Sequence, residues 1–325
     1  MIARRSMLAT PILLPGLARA QAEWRPAQSM RIIIPAAPGG TTDIMGRMLA
    51  QHLQARFGVN AVVDNRSGGG GTIATLDMLR APPDGLTLLS GNIGPQAIAY
   101  SLFRNLGYRA DQLAPVCNMI RGPNVLLLHP SVPATTVPEF VAWLKARPGR
   151  AAYGSSGVGQ SPHLSGVWFC QLTGTDATHV PFRGAGPLMM DLVAGNIQFS
   201  FDNLTTSVQQ IRGGQVRALA VTSADRNASL PDLPSLRETM PELAQYEVNT
   251  WFGIFAHGQT PAPVVAVLNR EINALLATSV TQARFAQMGG VPMPGSPDDF
   301  ARFVAAETEK WRGVIQREGL QMDVS

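Results

Sequence analysis

The 325-residue chain predicts an α/β protein of about two domains. Three observations carry that expectation. Short apolar strands alternate with helical stretches, which implies a parallel sheet with helices packed against it. The joints between them are turns rich in glycine and proline, and loops at the carboxyl ends of parallel strands are where such folds hold ligands. One strand–turn–helix unit also occurs twice, at Arg31 and again about 120 residues later at Ala151. Hydrophobic residues make up 45% and charged ones 15%, which suits a packed core and argues against disorder.

Arg31–Asp43 is the first such unit. Ile32, Ile33 and Ile34 form an unbroken β-branched run, as in a strand buried on both faces. Pro38, Gly39 and Gly40 break the chain. Thr41, Thr42 and Asp43 are residue types that cap helix N-termini, and Ile44, Met45, Met48, Leu49, Leu53 and Phe57 follow at helical spacing. A strand feeding a glycine turn and a helix start aims N–H donors and a positive dipole end at one spot, which suits an anion.

Ala61–Asp64, the glycine loop Asn65–Gly71 and a helix from Thr72 form a second unit. Leu86–Leu89 is a third strand, closed by Ser90–Gly94. Asn124–Leu128 is an apolar strand and Val137–Arg147 a helix with Pro138 in its first turn. The repeated unit follows: strand Ala151–Tyr153, loop Gly154–Gly159, and a helix from Ser161–Pro162 to Gly174. Strands are expected at Thr178–Phe182, Ile197–Phe201, Val216–Thr222 and Trp251–Phe255. Helices are expected at Pro187–Ala194, Val264–Leu276 and Pro297–Glu318.

Residues 1–22 read as a secretory signal peptide. Arg4 and Arg5 form a positive start, Met7–Leu17 is apolar but short, and Ala18–Ala20 and Ala20–Ala22 are small-residue cleavage sites. Arg4–Arg5 also resembles a weak twin-arginine signal, with ordinary export favoured. No later stretch has the roughly 18 apolar residues of a membrane span, so an exported, soluble, periplasmic chain cleaved near Ala20 or Ala22 is expected. Net charge is +4, with no basic run interleaved with aromatics, so nucleic acid is not expected as a partner. Cys117 and Cys170 could pair in an oxidising compartment; unpaired, they serve as small buried hydrophobes. No Cys/His cluster has metal-ligand spacing, and no metal or cofactor is expected.

The glycine loops match no nucleotide motif. No lysine follows them as a P-loop requires, and Gly154, Gly157 and Gly159 are spaced G-x-x-G-x-G instead of the dinucleotide pattern. Ser155 and Ser156 lie between a strand and a helix, as a hydrolase nucleophile would, but no G-x-S-x-G surrounds them and His163 is too close in sequence to be the usual base. Asp43 and Asp202 stand at loop ends. Asp43 is read either as a helix cap alone or as one that also orients a water or accepts a ligand amine. Arg183 is either a carboxylate partner or a solvated loop charge, and Trp251 is read as packing a core or hinge.

These strings together resemble a family. Pro38–Asp43 with Arg47, Asn65–Gly71, and Tyr153–Gly159 with His163–Leu164 look like the Bug receptors, the substrate-binding proteins of tripartite tricarboxylate transporters. His179–Gly184, Leu219–Thr222, Leu230–Pro234, Trp251–Gly253 and Thr260–Pro261 continue the likeness in family order, over nearly the whole chain after the leader. Ser67, Gly69 and Phe182 depart from the usual proline, alanine and tyrosine. The resemblance implies a type II periplasmic binding protein, a two-lobed Venus flytrap with the ligand cleft between lobes. The first lobe would comprise residues 23–123 and 247–325, the second 124–246. It implies a small carboxylate ligand, held largely by backbone amides and bridging waters. Carried over, the ligand-binding positions are Ala37, Gly39, Gly40, Thr41 and Asp43 in one loop, and Ser155, Ser156, Gly159, Ser161 and His163 in the other. Gly70, Gly71 and Asp202 would line the cleft. The partners implied are the membrane subunits of such a transporter, and the receptor would act as a monomer. The alternatives are a ligand sensor that hands its closed form to a signalling partner, or a secreted serine hydrolase.

Overall fold

The computed structural model describes residues 23–323; the expected signal peptide lies outside the described residues. Strands β1 (Met30–Ile34), β2 (Ala61–Asn65) and β3 (Thr87–Asn92) pair in parallel, with β1 central. Helices α1 (Thr41–Phe57) and α2 (Thr72–Leu79) connect them. Ile32, Ile33 and Ile34 are fully buried, as the unbroken apolar run requires. Past β3 the chain makes a π-helical turn at Gly94–Ile98 and a short helix α3 (Ala99–Leu102). The strand thus runs three residues beyond the expected Leu89, because Ser90, Gly91 and Asn92 pair with a later strand.

That later strand explains the largest departure from the sequence reading. β4 (Leu113–Leu128) is 16 residues long, and only its last five were expected as a strand. Pro115, Gly122 and Pro123 disguise the rest. Two irregularities in its pairing absorb the odd residues, between Pro115 and Cys117 and between Asn118 and Ile120. β4 is antiparallel to every partner it has, so the sheet is mixed and not purely parallel.

The second half begins with α4 (Val137–Lys145), opened by a reciprocal cap between Thr136 and Glu139. There follow β5 (Ala152–Ser155), α5 (Ser161–Thr173), β6 (Thr178–Pro181), α6 (Ala185–Val193), β7 (Phe199–Asn203), α7 (Leu204–Arg212) and β8 (Arg217–Val221). β5 lies parallel between β6 and β7, while β7 and β8 flank the far end of β4. The chain returns through β9 (Asn249–His257), which fits between β3 and β4. It ends in α8 (Ala262–Leu276), α9 (Ser279–Gln287), the short β10 (Val291–Pro292) on β4, and α10 (Pro297–Arg317).

β4 therefore belongs to two sheets. Up to Pro123 it pairs with β9; from Asn124 onward it pairs with β7 and β8. The sheets carry helices of their own and face each other as two lobes. α10 covers the crossing. Its Ser296 and Asp299 cap each other, and Phe300 and Phe303 meet Trp251 edge-on at 5.6 and 5.7 Å between ring centres. Such pairs contribute about 0.5–1.5 kcal/mol each beyond area burial. Trp251 is thus core, as the apolar Trp251–Phe255 run suggested. Cys117 is buried and Cys170 partly so, and both are free thiols; burial pushes the Cys117 thiol up to about 12. Among the described residues no helix is long and apolar enough to cross a membrane, and no His/Cys/Asp/Glu cluster could hold a metal ion.

Candidate functional site

A cavity of about 520 Å³ lies between the lobes, inside the usual range for small-molecule sites. The N-termini of α1, α2, α5, α6 and α7 all border it, through Thr41 and Thr42, Gly71, Gln160, Ala185 and Asn203. None of these helix starts is capped by the side chain before it. Such helix starts bring N–H groups without intrahelical partners and roughly half a positive charge; at α2 the preceding glycine turn already takes the N–H groups of Gly71 and Thr72. Arg183 is the single charged residue lining the cavity among those described. The site is therefore electropositive, and none of its described wall residues is an acid.

The first wall is the β1–α1 loop. Gly40 and Thr41 line the cavity; Ala37, Gly39 and Asp43 do not. The N–H of Ala37 donates to the Arg183 carbonyl at 2.8 Å, across the cleft. The N–H of Gly39 donates to Asp43 Oδ2 at 3.0 Å, and Arg47 Nε donates to the same oxygen at 3.0 Å. Asn65 Nδ2 donates to Asp43 Oδ1 at 3.1 Å and to the Ala36 carbonyl at 2.9 Å. Burial alone would raise the Asp43 pKa, but the bonds from Arg47, Gly39 and Asn65 outweigh it and hold the carboxyl below its ordinary value. Asp43 is a loop organiser, with its oxygens turned into the protein.

The second wall is the glycine run Gly68–Gly71. All four residues have positive φ, between +54° and +126°, conformations that side chains with a Cβ seldom adopt. Gly70 also lies so close to the opposite lobe that a Cβ there would stand 2.2 Å from the Val158 carbonyl oxygen.

The third wall belongs to the other lobe. Ser156, Gly157, Val158 and Gln160 line the cavity; Ser155, Gly159, Ser161 and His163 lie behind it. Ser155 is fully buried, with its Oγ 2.7 Å from His179 Nε2. The Gly157 N–H donates to the same Oγ at 3.3 Å, and the Gly159 N–H donates to His163 Nδ1 at 3.2 Å. The rings of His163 and His179 stack with centres 4.1 Å apart. Burial, and for His163 the neighbouring imidazole as well, pushes their pKa down to about 3 and about 4. Two neutral imidazoles thus brace the loop from behind. Sequence gave no sign that His179 meets Ser155. The contact does not make a catalytic triad, since no carboxylate bonds His179 among the described residues and Ser155 has no access to the cavity.

Asp202 is also fully buried and does not line the cavity; its neighbour Asn203 does. Thr206 and Ser207 donate to Asp202 Oδ2 at 3.1 and 2.8 Å. Burial nevertheless pushes this carboxyl up to about 6. Of the positions expected to bind ligand, Gly40, Thr41, Gly70, Gly71 and Ser156 face the cavity, and the others form its supports. Asn92, Gln160, Asn203 and Phe252 face it without having been singled out. The signal for Gln160 is in the sequence, because it occupies the N-cap position before the expected helix start at Ser161; Asn203 precedes α7, a helix the sequence does not show.

Two lobes around an electropositive, glycine-walled cleft define a periplasmic-type solute-binding protein. The family model described as "Tripartite tricarboxylate transporter family receptor" matches residues 45–320. Protein BugT of Bordetella pertussis is 34% identical over 305 residues, covering 93% of this chain and 92% of BugT. The structure of R. palustris Rpa4515 with adipate superposes with a TM-score of 0.87 at 34% identity, covering 91% of this chain and 99% of that one. MatC (Rpa3494) from Rhodopseudomonas palustris with bound malate gives 0.84 at 30% identity, covering 89% and 99%. The chain belongs to the tripartite tricarboxylate transporter receptor family, as its motifs led one to expect.

Proposed function

We propose that this chain is an exported receptor that captures a small carboxylate between its lobes for the membrane subunits of a tripartite tricarboxylate-type transporter. One observation carries the reading. Uncapped helix N-termini from both lobes converge on a cavity whose only charged wall residue among those described is Arg183. Backbone N–H groups at helix starts are ready-made anion sites, and a cavity without wall acids does not repel a carboxylate. Gly40, Thr41, Gly70, Gly71 and Ser156 are the positions that meet the ligand, and Asp43 and His163 hold their loops in place.

In this reading the first lobe comprises residues 23–123 and 247–325 and the second residues 124–246. The change of partners along β4 supports that division. The receptor acts as a periplasmic monomer, released by cleavage near Ala20 or Ala22. It is not an enzyme: Ser155, whose Oγ meets His179, is sealed from the cavity.

A thermal-shift screen tests the proposal, using the chain from residue 23 with di- and tricarboxylates (adipate and malate among them), amino acids and aromatic acids. A ligand at about 100 times its Kd adds roughly 2.7 kcal/mol to the native state, a rise of several degrees. A well-folded protein unmoved by every acid in the panel would overturn the carboxylate assignment.

A further inference from the structure

We infer that Gln160 is a latch for the closed cleft, a positioning residue whose side-chain amide locks one lobe onto the other. The inference rests on the receptor reading above. Gln160 stands at the N-cap of α5 in the second lobe. Its Nε2 donates to the Gly70 carbonyl in the first lobe at 2.7 Å, a span of 90 residues along the chain, and the residue is buried, with 9% of its surface exposed. Two glycines make the reach fit. At Gly94, opening the π-helical turn of the first lobe, a Cβ would stand 2.7 Å from Cδ, Nε2 and Oε1 of Gln160 alike. The amide therefore lies flat on a surface that only glycine leaves open. At Gly70, the missing Cβ lets Val158, two residues before Gln160, come against the main chain.

Gly94 is not on the cavity wall, while Gln160 is. The latch thus sits at the ligand's edge and closes over it. A buried amide–carbonyl bond contributes about 1 kcal/mol net, or roughly fivefold in the ratio of closed to open forms.

Disulfide trapping reads that ratio without ligand, even where closed molecules are the minority. Thr41→Cys and Thr205→Cys place two thiols across the cleft, where the native hydroxyls are 2.6 Å apart. Cys117→Ala and Cys170→Ala remove competing thiols. We expect Gln160→Ala to slow trapping about fivefold, Gly94→Ala to slow it similarly by pushing the amide off its seat, and the double variant to be no slower than the slower single. In the native Thr pair, dissociation of adipate or malate, whichever the screen shows to bind, should quicken by the same factor while association changes less than twofold. Unchanged trapping in both folded variants overturns the latch. Additive effects of the two substitutions overturn the shared mechanism. Should no acid bind the unaltered protein, the carboxylate reading fails, while the trapping rates still decide the latch.

Discussion

The hydroxyls of Thr41 and Thr205 lie 2.6 Å apart in a buried contact between residues 164 positions distant in sequence. Thr41 begins α1 in the first lobe, and Thr205 sits in the first turn of α7 in the second. The bond joins one lobe to the other. Thr205→Val keeps the shape and removes the polar partner, leaving one buried hydroxyl unsatisfied at a cost of about 1–3 kcal/mol. That cost falls on closure. Acid affinity measured by calorimetry should drop about tenfold, with little change in the melting temperature of the ligand-free protein.

Gly70→Ala should act more strongly. A Cβ at that position collides with a carbonyl oxygen, which cannot rotate away as a side-chain tip would, and φ there is +60°. Ligand binding should fall by more than tenfold while circular dichroism stays that of the parent.

Gly40→Val tests the opposite wall. Gly40 has φ −80° and ψ 168°, which any residue adopts, and a Cβ there meets nothing nearer than the Ala37 carbonyl at 3.9 Å. The fold should tolerate the valine, with denaturant midpoints unchanged, while affinity for acids drops because the extra methyls occupy cavity space. Equal affinity in the folded variant would remove the β1–α1 loop from the site.

Acid should weaken the fold in a defined interval. His163 and His179 take their protons near pH 6.5 when unfolded but only at about 3 and about 4 when folded. Between these limits the unfolded chain binds more protons, so stability falls as pH drops from about 6.5 to about 4. Asp202 works the other way. Its folded pKa of about 6 lies above the unfolded value, so its contribution grows as pH falls through that range and then levels off below the unfolded pKa. Two imidazoles outweigh one carboxyl, and the net loss at pH 4.5 should be about 3 kcal/mol. His179→Gln should shrink it, and Asp202→Asn should deepen it, in melting curves taken at several pH values.

Arg183 supplies charge without burial. Exposed ion pairs contribute about 0.2–1 kcal/mol, so Arg183→Gln should weaken acid binding two- to fivefold and flatten its dependence on salt.

The architecture was largely legible in the sequence, and the reasons are local. Ile32–Ile34 announced a buried strand, and Gly174, with φ +60°, ended α5 where the sequence placed the stop. The first part of β4 was illegible because Pro115, Gly122 and Pro123 mimic loop residues, and only long-range pairing with β9 makes them strand. α7 and α9 were hidden by Thr205–Ser207 and by Ser279–Thr281, residues with weak helix preference that tertiary packing overrides. At the site, the glycine loops showed themselves, because positive φ demands glycine. Which residues face inward did not. Asp43 and Ser155 belong to the motifs yet turn away from the cavity, while Gln160 and Asn203 turn toward it. Direction is set by partners distant in sequence, Asn65 for Asp43, His179 for Ser155 and Gly70 for Gln160, which no short window of sequence contains.

The long strand β4 has a mechanical consequence. It passes from one sheet to the other in a single hydrogen-bonded run, joined by β9 at the crossing, with no slack loop between them. Such a ribbon behaves like a leaf spring. We expect it to bend across its plane more readily than it shears or swivels, so that outward and return strokes retrace the same path. Capture and release then become two ends of one coordinate, and any partner that senses the position of either lobe reads the occupancy of the whole.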